Sequence, residues 1–365
     1  MPLRRRLQRE KLMKIKNLRK TIDGLDEKIV GLLNTRAKRI LEIGALKNKL
    51  KKSIYVPARE QEILNRLNMV NNGPLSKEAL AAIYREIMSA SLALEKPLVI
   101  AYLGPQATFT HLAALKKFGA SVTYLSCKNI SDCFAEVEKD NADYGVIPIE
   151  NSIEGAVSHT LDMLVDSDLK ICSQIMLDVA HNLLAKCKKE DIKKIYSKDQ
   201  VFGQCRIWLE SNLPKADLIE VPSTTQAAQI ASKEKNAACI ASTWASKEYH
   251  LNIIAREIED SPHNITRFLV IGKFDTEPTG RDKTSIMFSI KDSVGALHDM
   301  LVPFKKYKIN LTKIESRPCK KRAWDYYFFV DMLGHIQSNN IRKALEELDV
   351  KCKFLKVLGS YPLGE

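Results

Sequence analysis

The sequence predicts a multidomain protein: an all-α helical domain, then an α/β domain, then a small α+β domain with the ferredoxin-like order. Three observations point to this fold class. A proline-free stretch repeats apolar residues at steps of three and four, a central stretch alternates short apolar strands with helices, and the last stretch runs strand, helix, strand, strand, helix, strand. A chain of 365 residues is also too long for one ordinary core. We place the domains at 1–96, 97–274 and 283–361.

The first domain begins with one long amphipathic helix. No proline occurs from Ile15 to Leu50, and apolar residues recur on one face at Leu18, Ile22, Leu25, Ile29, Leu32, Ile40, Ile43 and Leu46. Such a helix is about 54 Å long, so its apolar stripe needs a partner along its whole length, and dimerisation is the simplest solution. Two further helices are predicted, one from Pro57 or Ala58 to about Val70 and, after the N-cap Ser76, one that ends at Glu95.

Positive charge is concentrated in this domain. Residues 1–97 contain 22 Lys and Arg against 10 Asp and Glu, which is most of the formal net charge of +13. Such a domain can bind nucleic acid, a membrane surface or a small polyanion, or it can present a solvated helix face that binds nothing. Residues 1–16 lack aromatic side chains for base stacking, and no run of eighteen apolar residues or apolar signal core occurs. We expect no nucleic-acid partner, no membrane partner and a cytoplasmic location.

Two cations on the first helix share its mostly apolar face. Arg36 and Lys47 are about three helical turns apart, so both side chains leave the same side of the helix and favour an anionic ligand. Arg19 lies about 25 Å from Arg36 along the helix, so only a second copy of the chain can bring it to the same small ligand. Polar side chains of the other two helices can complete a pocket: Arg59, Glu60, Ser91 and Glu95. The alternative is a surface of exposed ion pairs without a ligand.

The segments "LRKTIDGLDEKIVGLLNTRAKRILEIGALK", "PARE" and "REIMSASLALE" together resemble the all-helical chorismate mutases. That family forms interlocked helical dimers in which chorismate, a dianion, lies among cations of both chains. The resemblance implies these roles: Arg36 and a second copy's Arg19 bind carboxylates, Lys47 binds the ether oxygen and a carboxylate, Arg59 and Glu60 hold the ring hydroxyl region, and Ser91 assists. Glu95 replaces the glutamine of many relatives. A carboxyl group donates a hydrogen bond only when protonated, so the mutase rate should fall as pH rises.

Six motifs of the central domain occur in the order found in prephenate dehydratases: "GPQATFTHLAA", "PIENSIEGAVSHTLDML", "QCRIWL", "STTQAA", "ASTWASKEYHLNII" and "NITRFLVIG". The triplet "TRF", Thr266 to Phe268, is the signature of the family that they resemble. The resemblance implies two α/β lobes with a cleft between them, like periplasmic binding proteins, and prephenate as the substrate. From the alternation of strands and helices we expect a parallel sheet.

The chemistry of prephenate indicates which side chains to look for. The substrate loses carbon dioxide and hydroxide together, and aromatisation supplies the driving force. A weak acid beside the departing oxygen is therefore enough, and Thr266 is the candidate, with Asn151 at a neighbouring strand end. Further candidate donors are Thr108, Ser152, Gln204, Ser223 and Thr224, although Thr108, Ser223 and Gln204 equally suit ordinary capping roles. Arg267 is expected to pair with a neighbouring acid or with a substrate carboxylate.

The last domain is similar to the ACT regulatory domains of dehydratases, because it carries "GAL" at 295–297 and "ESRP" at 315–318. Such domains pair edge to edge and bind an amino acid, here phenylalanine, at their interface. Gly295 lets a ligand approach the backbone where a strand becomes a helix. The expected phenylalanine contacts are Gly295, Ala296, Leu297, Asn310, Leu311, Glu315, Ser316 and Arg317.

These resemblances imply a bifunctional chorismate mutase/prephenate dehydratase that converts chorismate to phenylpyruvate and is inhibited by phenylalanine. We expect a homodimer, or a tetramer of two such dimers, without an organic cofactor. The eight cysteines form no C-x-x-C pair, so neither a metal site nor a disulfide framework is expected. The competing interpretation is a two-lobed small-molecule sensor that has kept the fold and lost the activity.

Overall fold

The computed structural model describes residues 2–50, 54–261, 263–290, 293–319 and 326–363. Three regions follow one another along the chain: a helical region, a region with two sheets, and a C-terminal region with one sheet. This succession confirms the predicted fold class. In these ranges, no helix combines the length and the apolar character needed to cross a membrane.

The helical region consists of α1 (Pro2–Lys49), α2 (Pro57–Val70) and α3 (Lys77–Glu95), and α1 packs on α3. α1 starts well before the predicted Ile15, because the preceding Leu, Arg, Gln, Lys and Met residues are good helix formers. Pro57 occupies the first turn of α2, where a missing N–H group costs nothing. The hydroxyl of Ser76 accepts a hydrogen bond from Ala79 N at 3.1 Å, so the predicted N-cap of α3 is confirmed.

The apolar stripe of α1 is exposed along most of the helix. Seven of its side chains are at least 45% exposed: Leu18, Ile22, Leu25, Ile29, Leu32, Ile43 and Leu46. A row of apolar side chains of this length is unusual on a monomer surface.

The part of the middle region that the structure describes contains seven α-helices and eleven strands. The helices are α4 (Phe109–Phe118), α5 (Ile130–Glu138), α6 (Ser158–Asp166), α7 (Asp199–Gln204), α8 (Arg206–Asn212), α9 (Thr224–Ala231) and α10 (Thr243–Glu248), with a 3₁₀ turn at Lys189–Asp191. The strands are β1 (Val99–Leu103), β2 (Thr123–Cys127), β3 (Tyr144–Asn151), β4 (Gly155–Ala156), β5 (Lys170–Asp178), β6 (Asn182–Ala185), β7 (Lys194–Ser197), β8 (Asp217–Glu220), β9 (Ala237–Ala241), β10 (Asn252–Ala255) and β11 (Ile265–Gly272).

These strands form two separate mixed sheets, so the expectation of a parallel sheet was wrong. The first lobe has the order β2-β1-β3-β11-β5, with β4 beside β3, and the second lobe has the order β10-β6-β9-β7-β8. β1 is parallel to β2 and β3, and β7 is parallel to β8 and β9. β11 is antiparallel to β3 and β5 because the chain enters the second lobe after β5 and returns from it through β11.

The two crossings between the lobes lie side by side. The chain leaves the first lobe at 179–181 and comes back through 256–261 and 263–264, and Val179 N donates a hydrogen bond to Asn264 O at 2.7 Å. Asn151 at the end of β3 and Thr266 near the start of β11, which pair in register, therefore lie at the junction between the lobes. This is the place that a two-lobed fold offers for a ligand.

The C-terminal region consists of β12 (Asp282–Ser289), α11 (Ala296–Lys306), β13 (Leu311–Pro318), β14 (Tyr326–Leu333), α12 (Asn339–Lys351) and β15 (Phe354–Pro362). Its antiparallel sheet has the order β13-β14-β12-β15, which confirms the predicted ferredoxin-like arrangement and leaves β13 at an edge. One face of the sheet packs on the two helices through a cluster that includes Ile286, Phe288, Phe304, Ile341 and Leu348.

The other face of this sheet packs on the first lobe. One buried cluster joins the two regions and contains Leu269, Ile271, Met287, Phe329, Leu358 and Tyr361. β15 lies so close to β5 that a Cβ atom on Gly359 would be 2.3 Å from Ile171 O, so this contact requires glycine. The C-terminal sheet and β11, the strand that carries the "TRF" triplet, therefore share one hydrophobic core.

The helical region also packs on the first lobe. The ring of Tyr55 lies 5.0 Å from the ring of Phe118 and 5.2 Å from that of Tyr144. All three side chains are buried in one cluster that also includes Leu98 and Val146. Aromatic pairs at these distances stabilise a contact beyond their buried area, so the end of α4 is firmly attached to the helical region.

Candidate functional sites

A cavity of about 550 Å³ opens between α1, α2, α3 and the end of α4. Its lining is rich in cations: Arg36, Arg39, Lys47, Arg59, Arg66, Arg85 and Lys117. The remaining wall is largely apolar, with Ile40, Ile43, Ile63, Leu67, Met88 and Leu92. A pocket that combines apolar walls with several positive charges fits a small ring compound that carries carboxylates.

The two cations predicted to share a face of α1 both reach this cavity, and each has a fixed partner. Arg36 Nη1 donates to Ser91 Oγ at 2.5 Å. Lys47 Nζ donates to Ile54 O at 2.9 Å and to Glu95 Oε2 at 3.1 Å. The Glu95 side chain is only 4% exposed, and its ion pair with Lys47 satisfies the buried charge.

Arg59 and Glu60 complete the set of predicted residues that the structure brings to the cavity. Arg59 Nη1 lies 2.6 Å from Glu62 Oε2 in an exposed ion pair. The Glu60 carboxylate accepts a hydrogen bond from Tyr55 OH and forms an ion pair with Lys117. Arg19 is exposed on α1 and does not line this cavity, and its contribution to the site of another copy stays a prediction. Sequence patterns gave no signal for Lys117 or Phe118, because both belong to a different region of the chain.

The second cluster is built on two neighbouring strands. Thr266 on β11 pairs in register with Asn151 on β3, and Asn151 Nδ2 donates to Thr266 Oγ1 at 2.8 Å and to Asn264 Oδ1 at 2.7 Å. Asn151 Oδ1 accepts hydrogen bonds from the N–H groups of Ile153 and Glu154 at 3.0 and 3.1 Å. These backbone donors fix which way the Asn151 amide points, so its NH₂ group must face Thr266.

This arrangement orients the Thr266 hydroxyl. Because Oγ1 accepts a hydrogen bond from Asn151, its own hydrogen points elsewhere, and among the residues described by the structure it has no protein acceptor. Thr266 is partly exposed, so a ligand at the junction of the lobes can reach it. The pair therefore presents one oriented O–H donor, which is the group that departure of a hydroxide needs.

A chain of side chains continues from this pair into the second lobe. Asn264 Nδ2 donates to Gln204 Oε1 at 3.1 Å, and Gln204 Nε2 donates to Glu154 Oε1 at 2.9 Å. His181 Nε2 lies 2.7 Å from the same Gln204 oxygen, which can only accept, so this nitrogen carries the hydrogen. Burial lowers the pKa of His181 and keeps its ring neutral. Gln204 is thus a bridge between the lobes.

The other polar candidates of the middle region have local partners. Thr108 caps α4 and Ser223 caps α9, accepting hydrogen bonds from His111 N at 3.3 Å and Gln226 N at 3.0 Å. Ser152 Oγ donates to His263 O at 2.8 Å and accepts from Ile265 N at 2.9 Å, which ties the approach to β11 onto β3. Thr224 is the first residue of α9 and directly follows Ser223.

Family models match three successive parts of the chain: chorismate mutase type II at residues 18–96, prephenate dehydratase at 100–276 and the ACT domain at 284–350. The bifunctional chorismate mutase/prephenate dehydratase of Aquifex aeolicus is 53% identical over 95% of this chain and 98% of its own length. This chain belongs to the bifunctional chorismate mutase/prephenate dehydratase family. The family member from Stutzerimonas stutzeri is 44% identical over 95% of this chain and 97% of its own length.

A solved structure gives the same assignment for the larger part of the chain. The prephenate dehydratase of Arthrobacter aurescens, in complex with L-Phe, is 32% identical and superposes with a TM-score of 0.69 over 73% of this chain and 90% of that one. The bifunctional family combines an isomerase, chorismate mutase, with a lyase, prephenate dehydratase. In this chorismate mutase/prephenate dehydratase, the cavity lies in the mutase region and the Thr266 cluster in the dehydratase region.

Arg267 is a predicted substrate residue that points away from the Thr266 cluster. Successive strand residues point to opposite faces, so Arg267 points away from Thr266 and toward the ACT region. Its Nη1 lies 2.8 Å from Glu150 Oε1 and 2.6 Å from Asp331 Oδ2, and its Nη2 donates to Tyr361 OH at 2.8 Å. Arg267 was expected to pair with a neighbouring acid or with a substrate carboxylate. The structure shows pairs with two acids, Glu150 and Asp331, and the assignment of Arg267 to substrate binding is corrected.

The residues around Arg267 form a buried polar network between the dehydratase and ACT regions. Ser285 Oγ donates to Asp331 Oδ1 at 2.5 Å, and Lys313 Nζ pairs with the second carboxylate oxygen of Glu150. Burial alone would raise the pKa of Glu150, but hydrogen bonds from Lys313 and Arg267 outweigh it and lower that pKa. Glu150 directly precedes Asn151, so the network reaches within one residue of both strand-end candidates.

The predicted phenylalanine contacts occupy the start of α11 and the edge strand β13. Gly295 has a φ of 80°, a left-handed conformation that favours glycine, and Leu297 is 38% exposed. Asn310 O accepts a hydrogen bond from Leu333 N at 2.9 Å, and Arg317 Nη2 donates to Asp162 Oδ2 at 2.7 Å. The other members of the predicted set, Ala296, Leu311, Glu315 and Ser316, lie on the same two elements.

Sequence reasoning missed several residues of the dehydratase cluster. Asn264 lies inside the quoted "NITRF" motif, so its proximity to Thr266 was a signal that could have been used. His181 and Glu154 gave weaker signals, since a polar residue beside an apolar strand is common. Their roles depend on how two lobes meet, and local patterns do not contain that information.

Proposed function

We propose that this enzyme rearranges chorismate to prephenate in a mutase domain of residues 1–96 and converts prephenate to phenylpyruvate in a dehydratase domain of residues 97–274. An ACT domain of residues 283–361 regulates the second step. The observation that supports the dehydratase assignment best is the oriented Thr266 hydroxyl beside Asn151. The cation-rich cavity of the helical region supports the mutase assignment.

In the mutase step, Arg36 and Lys47 bind the substrate from α1, and Ser91 holds Arg36 in place. Arg59 and Glu60 serve the ring hydroxyl region, and the Arg19 of a second copy supplies a further cation. The reaction is a pericyclic rearrangement, so it needs neither a nucleophile nor an acid. Fixed charges select the folded diaxial conformer and stabilise the negative charge that grows on the ether oxygen.

In the dehydratase step, the bond from the ring to its carboxylate breaks, and the electron pair moves into the ring and expels the hydroxyl group. Thr266 donates a hydrogen bond to the departing oxygen, and Asn151 keeps the threonine hydroxyl in the donating orientation. Gln204 ties the two lobes together beside this site. The N-terminal ends of α4 and α9, which Thr108 and Ser223 cap, stabilise the negative charge of substrate carboxylates through the helix dipole.

The active form is a homodimer, or a tetramer of two such dimers, built on α1. Its exposed apolar stripe supports this assembly, because covering seven large aliphatic side chains stabilises a dimer by roughly 1.5–3 kcal/mol for each side chain that becomes fully buried. The eight free cysteines support a reducing compartment and therefore the cytoplasm.

Phenylalanine is the proposed effector, and it binds at the start of α11 and along β13. The complex of the Arthrobacter aurescens relative with L-Phe supports this choice. An effector shifts a two-state equilibrium only by its difference in affinity for the two states. Phenylalanine is therefore expected to bind more tightly to an arrangement of the dimer in which the dehydratase cleft is unproductive.

One coupled assay tests the proposal: purified enzyme receives chorismate, and phenylpyruvate is measured by its ultraviolet absorbance, with and without phenylalanine. We expect product without any added cofactor and a lower rate with phenylalanine. Supplying prephenate directly separates the two steps. An enzyme that leaves both acids unchanged would refute both catalytic assignments and favour the sensor interpretation.

A further inference from the structure

One wall of the mutase cavity is supplied by the dehydratase domain. Lys117 and Phe118 form the end of α4, and both line the cavity. Lys117 Nζ lies 2.8 Å from Glu60 Oε2, and the two side chains are only 21% and 17% exposed. Solvent screens a pair at this depth less than a surface pair, so the contact is a specific link between the domains.

Glu60 is held through one of its two carboxylate oxygens. Tyr55 OH donates to the same Oε2 at 3.3 Å, and Lys117 Nζ lies 5.9 Å from the centre of the Tyr55 ring. Burial, together with the charge of Glu60, raises the pKa of Tyr55 well above its ordinary value, so the phenol remains a donor. Both donors approach Oε2, and within the described ranges Oε1 accepts no hydrogen bond. This second oxygen can accept from a ligand in the cavity.

The position of Lys117 is fixed by contacts just beyond the end of α4. Ala120 N donates to Glu86 Oε2 and Ser121 N donates to Ser89 Oγ, each at 3.0 Å. Gly119 has a φ of 70°, and a Cβ atom there would lie 2.6 Å from Ser89 Cβ. Glycine is therefore needed for this approach. Lys117 enters the cavity from a segment that is closely packed against α3.

We infer that Lys117 is a positioning residue for the chorismate mutase reaction and acts through Glu60. The inference rests on the proposed function, in which Glu60 serves the ring hydroxyl of a dianionic substrate. Without Lys117, the Glu60 carboxylate would repel that dianion and would be free to turn away from the ring. With Lys117, Glu60 offers an oriented acceptor at little electrostatic cost. The mutase site is thus completed by the dehydratase domain.

The test uses Lys117→Met in the full-length enzyme, since methionine keeps much of the apolar stem without the charge. The mutase KM is expected to rise about tenfold or more, as for loss of a charge-assisted hydrogen bond, while kcat changes less. The KM and kcat of the dehydratase are expected to stay unchanged. Lys117→Arg keeps a cation at the same place and should restore most of the affinity for chorismate.

Lys116→Met is the matched control. Lys116 is adjacent on the same helix and loses the same charge, but its Nζ donates to Met176 O at 2.8 Å within the dehydratase domain and does not line the mutase cavity. Its mutase KM should equal that of the wild type. Equal mutase KM values for Lys116→Met and Lys117→Met would overturn the inference.

A double-mutant cycle tests the route through Glu60. In a Glu60→Gln background there is no carboxylate for Lys117 to neutralise, so Lys117→Met should change the mutase KM by less than about twofold. An undiminished effect in that background would refute positioning through Glu60. If Lys117→Met loses both activities, Lys117→Gln, which keeps a polar donor, replaces it with the same expectations. A wild-type enzyme without mutase activity would instead refute the proposed function, so the two failures are distinguishable.

Discussion

Replacing Asp331 with asparagine removes one charge from the buried network around Arg267 and leaves the side-chain shape unchanged. The Arg267 and Asp331 side chains are 5% and 11% exposed, and their closest N and O atoms are 2.6 Å apart. Removing one partner of a buried pair costs about 3–5 kcal/mol, because the other charge stays buried and loses its compensation. Arg267 keeps Glu150 and the Tyr361 hydroxyl, so we expect the lower limit, about 3 kcal/mol.

This loss of stability should be visible in thermal unfolding. The first lobe and the ACT sheet share a hydrophobic cluster and are expected to unfold together. For a cooperative unit of about 150–250 residues, each kcal/mol lowers Tm by about 2–4 °C, so Asp331→Asn should lower Tm by about 6–12 °C. Differential scanning calorimetry or circular dichroism at neutral pH measures this shift.

The control is Glu346→Gln in the same domain. Glu346 Oε1 lies 3.8 Å from Arg342 Nε, and both side chains are about two-thirds exposed, so the pair contributes little. Its Tm should stay within about 1 °C of the wild type. If the Tm of Asp331→Asn were also within about 1 °C of the wild-type Tm, a charged Asp331 would not be needed between the domains. The assignment of Arg267 to a stabilising network would then fail.

Three other outcomes are expected. Thr266→Val should lower the dehydratase kcat by about 10²–10⁴ and leave the mutase rate unchanged, which separate assays with prephenate and chorismate will measure; a fully active Thr266→Val enzyme would exclude the proposed acid. Glu95→Gln should keep the contact with Lys47 through its amide oxygen and add an NH₂ donor that the carboxylate of the ion pair lacks, so the mutase rate at neutral pH should rise, which the chorismate assay measures; an unchanged rate would exclude a donor role at this position. Burial lowers the pKa of His181 and His111 from an ordinary value of 6.5, so below that pH the unfolded chain binds protons that the folded chain does not. Tm should therefore fall as pH decreases from 7 toward 5, and His181→Gln should make that fall shallower; an unchanged slope would contradict a neutral buried ring.

The sequence contained enough information for the order of the domains and for the residues that lie in continuous motifs. The start of α2 at Pro57 or Ala58 and the N-cap at Ser76 follow from proline and serine chemistry that acts within one turn, so the structure agrees with them. Arg36 and Lys47 reach one cavity because helical periodicity alone fixes their common face. Their roles in catalysis stay predictions.

Features that depend on distant segments were not predictable in this way. The strand–helix alternation suggested a parallel sheet, because it records local succession and not the place where β11 inserts after its return from the second lobe. The bridge from Asn264 through Gln204 to His181 requires two lobes to meet. Lys117 reaches Glu60 only because α4 packs on the helical region.

Alternate side chains of strand β11 point to opposite faces of its sheet. Thr266 points to the junction of the lobes, while Arg267, Leu269 and Ile271 point to the ACT sheet. Because side chains alternate with a period of two, inserting or deleting a single residue before Thr266 would exchange the two sides, placing a hydroxyl under the ACT sheet and a guanidinium in the cleft. The length of this segment is therefore constrained together with its chemistry, and natural relatives should show no one-residue gaps before the threonine.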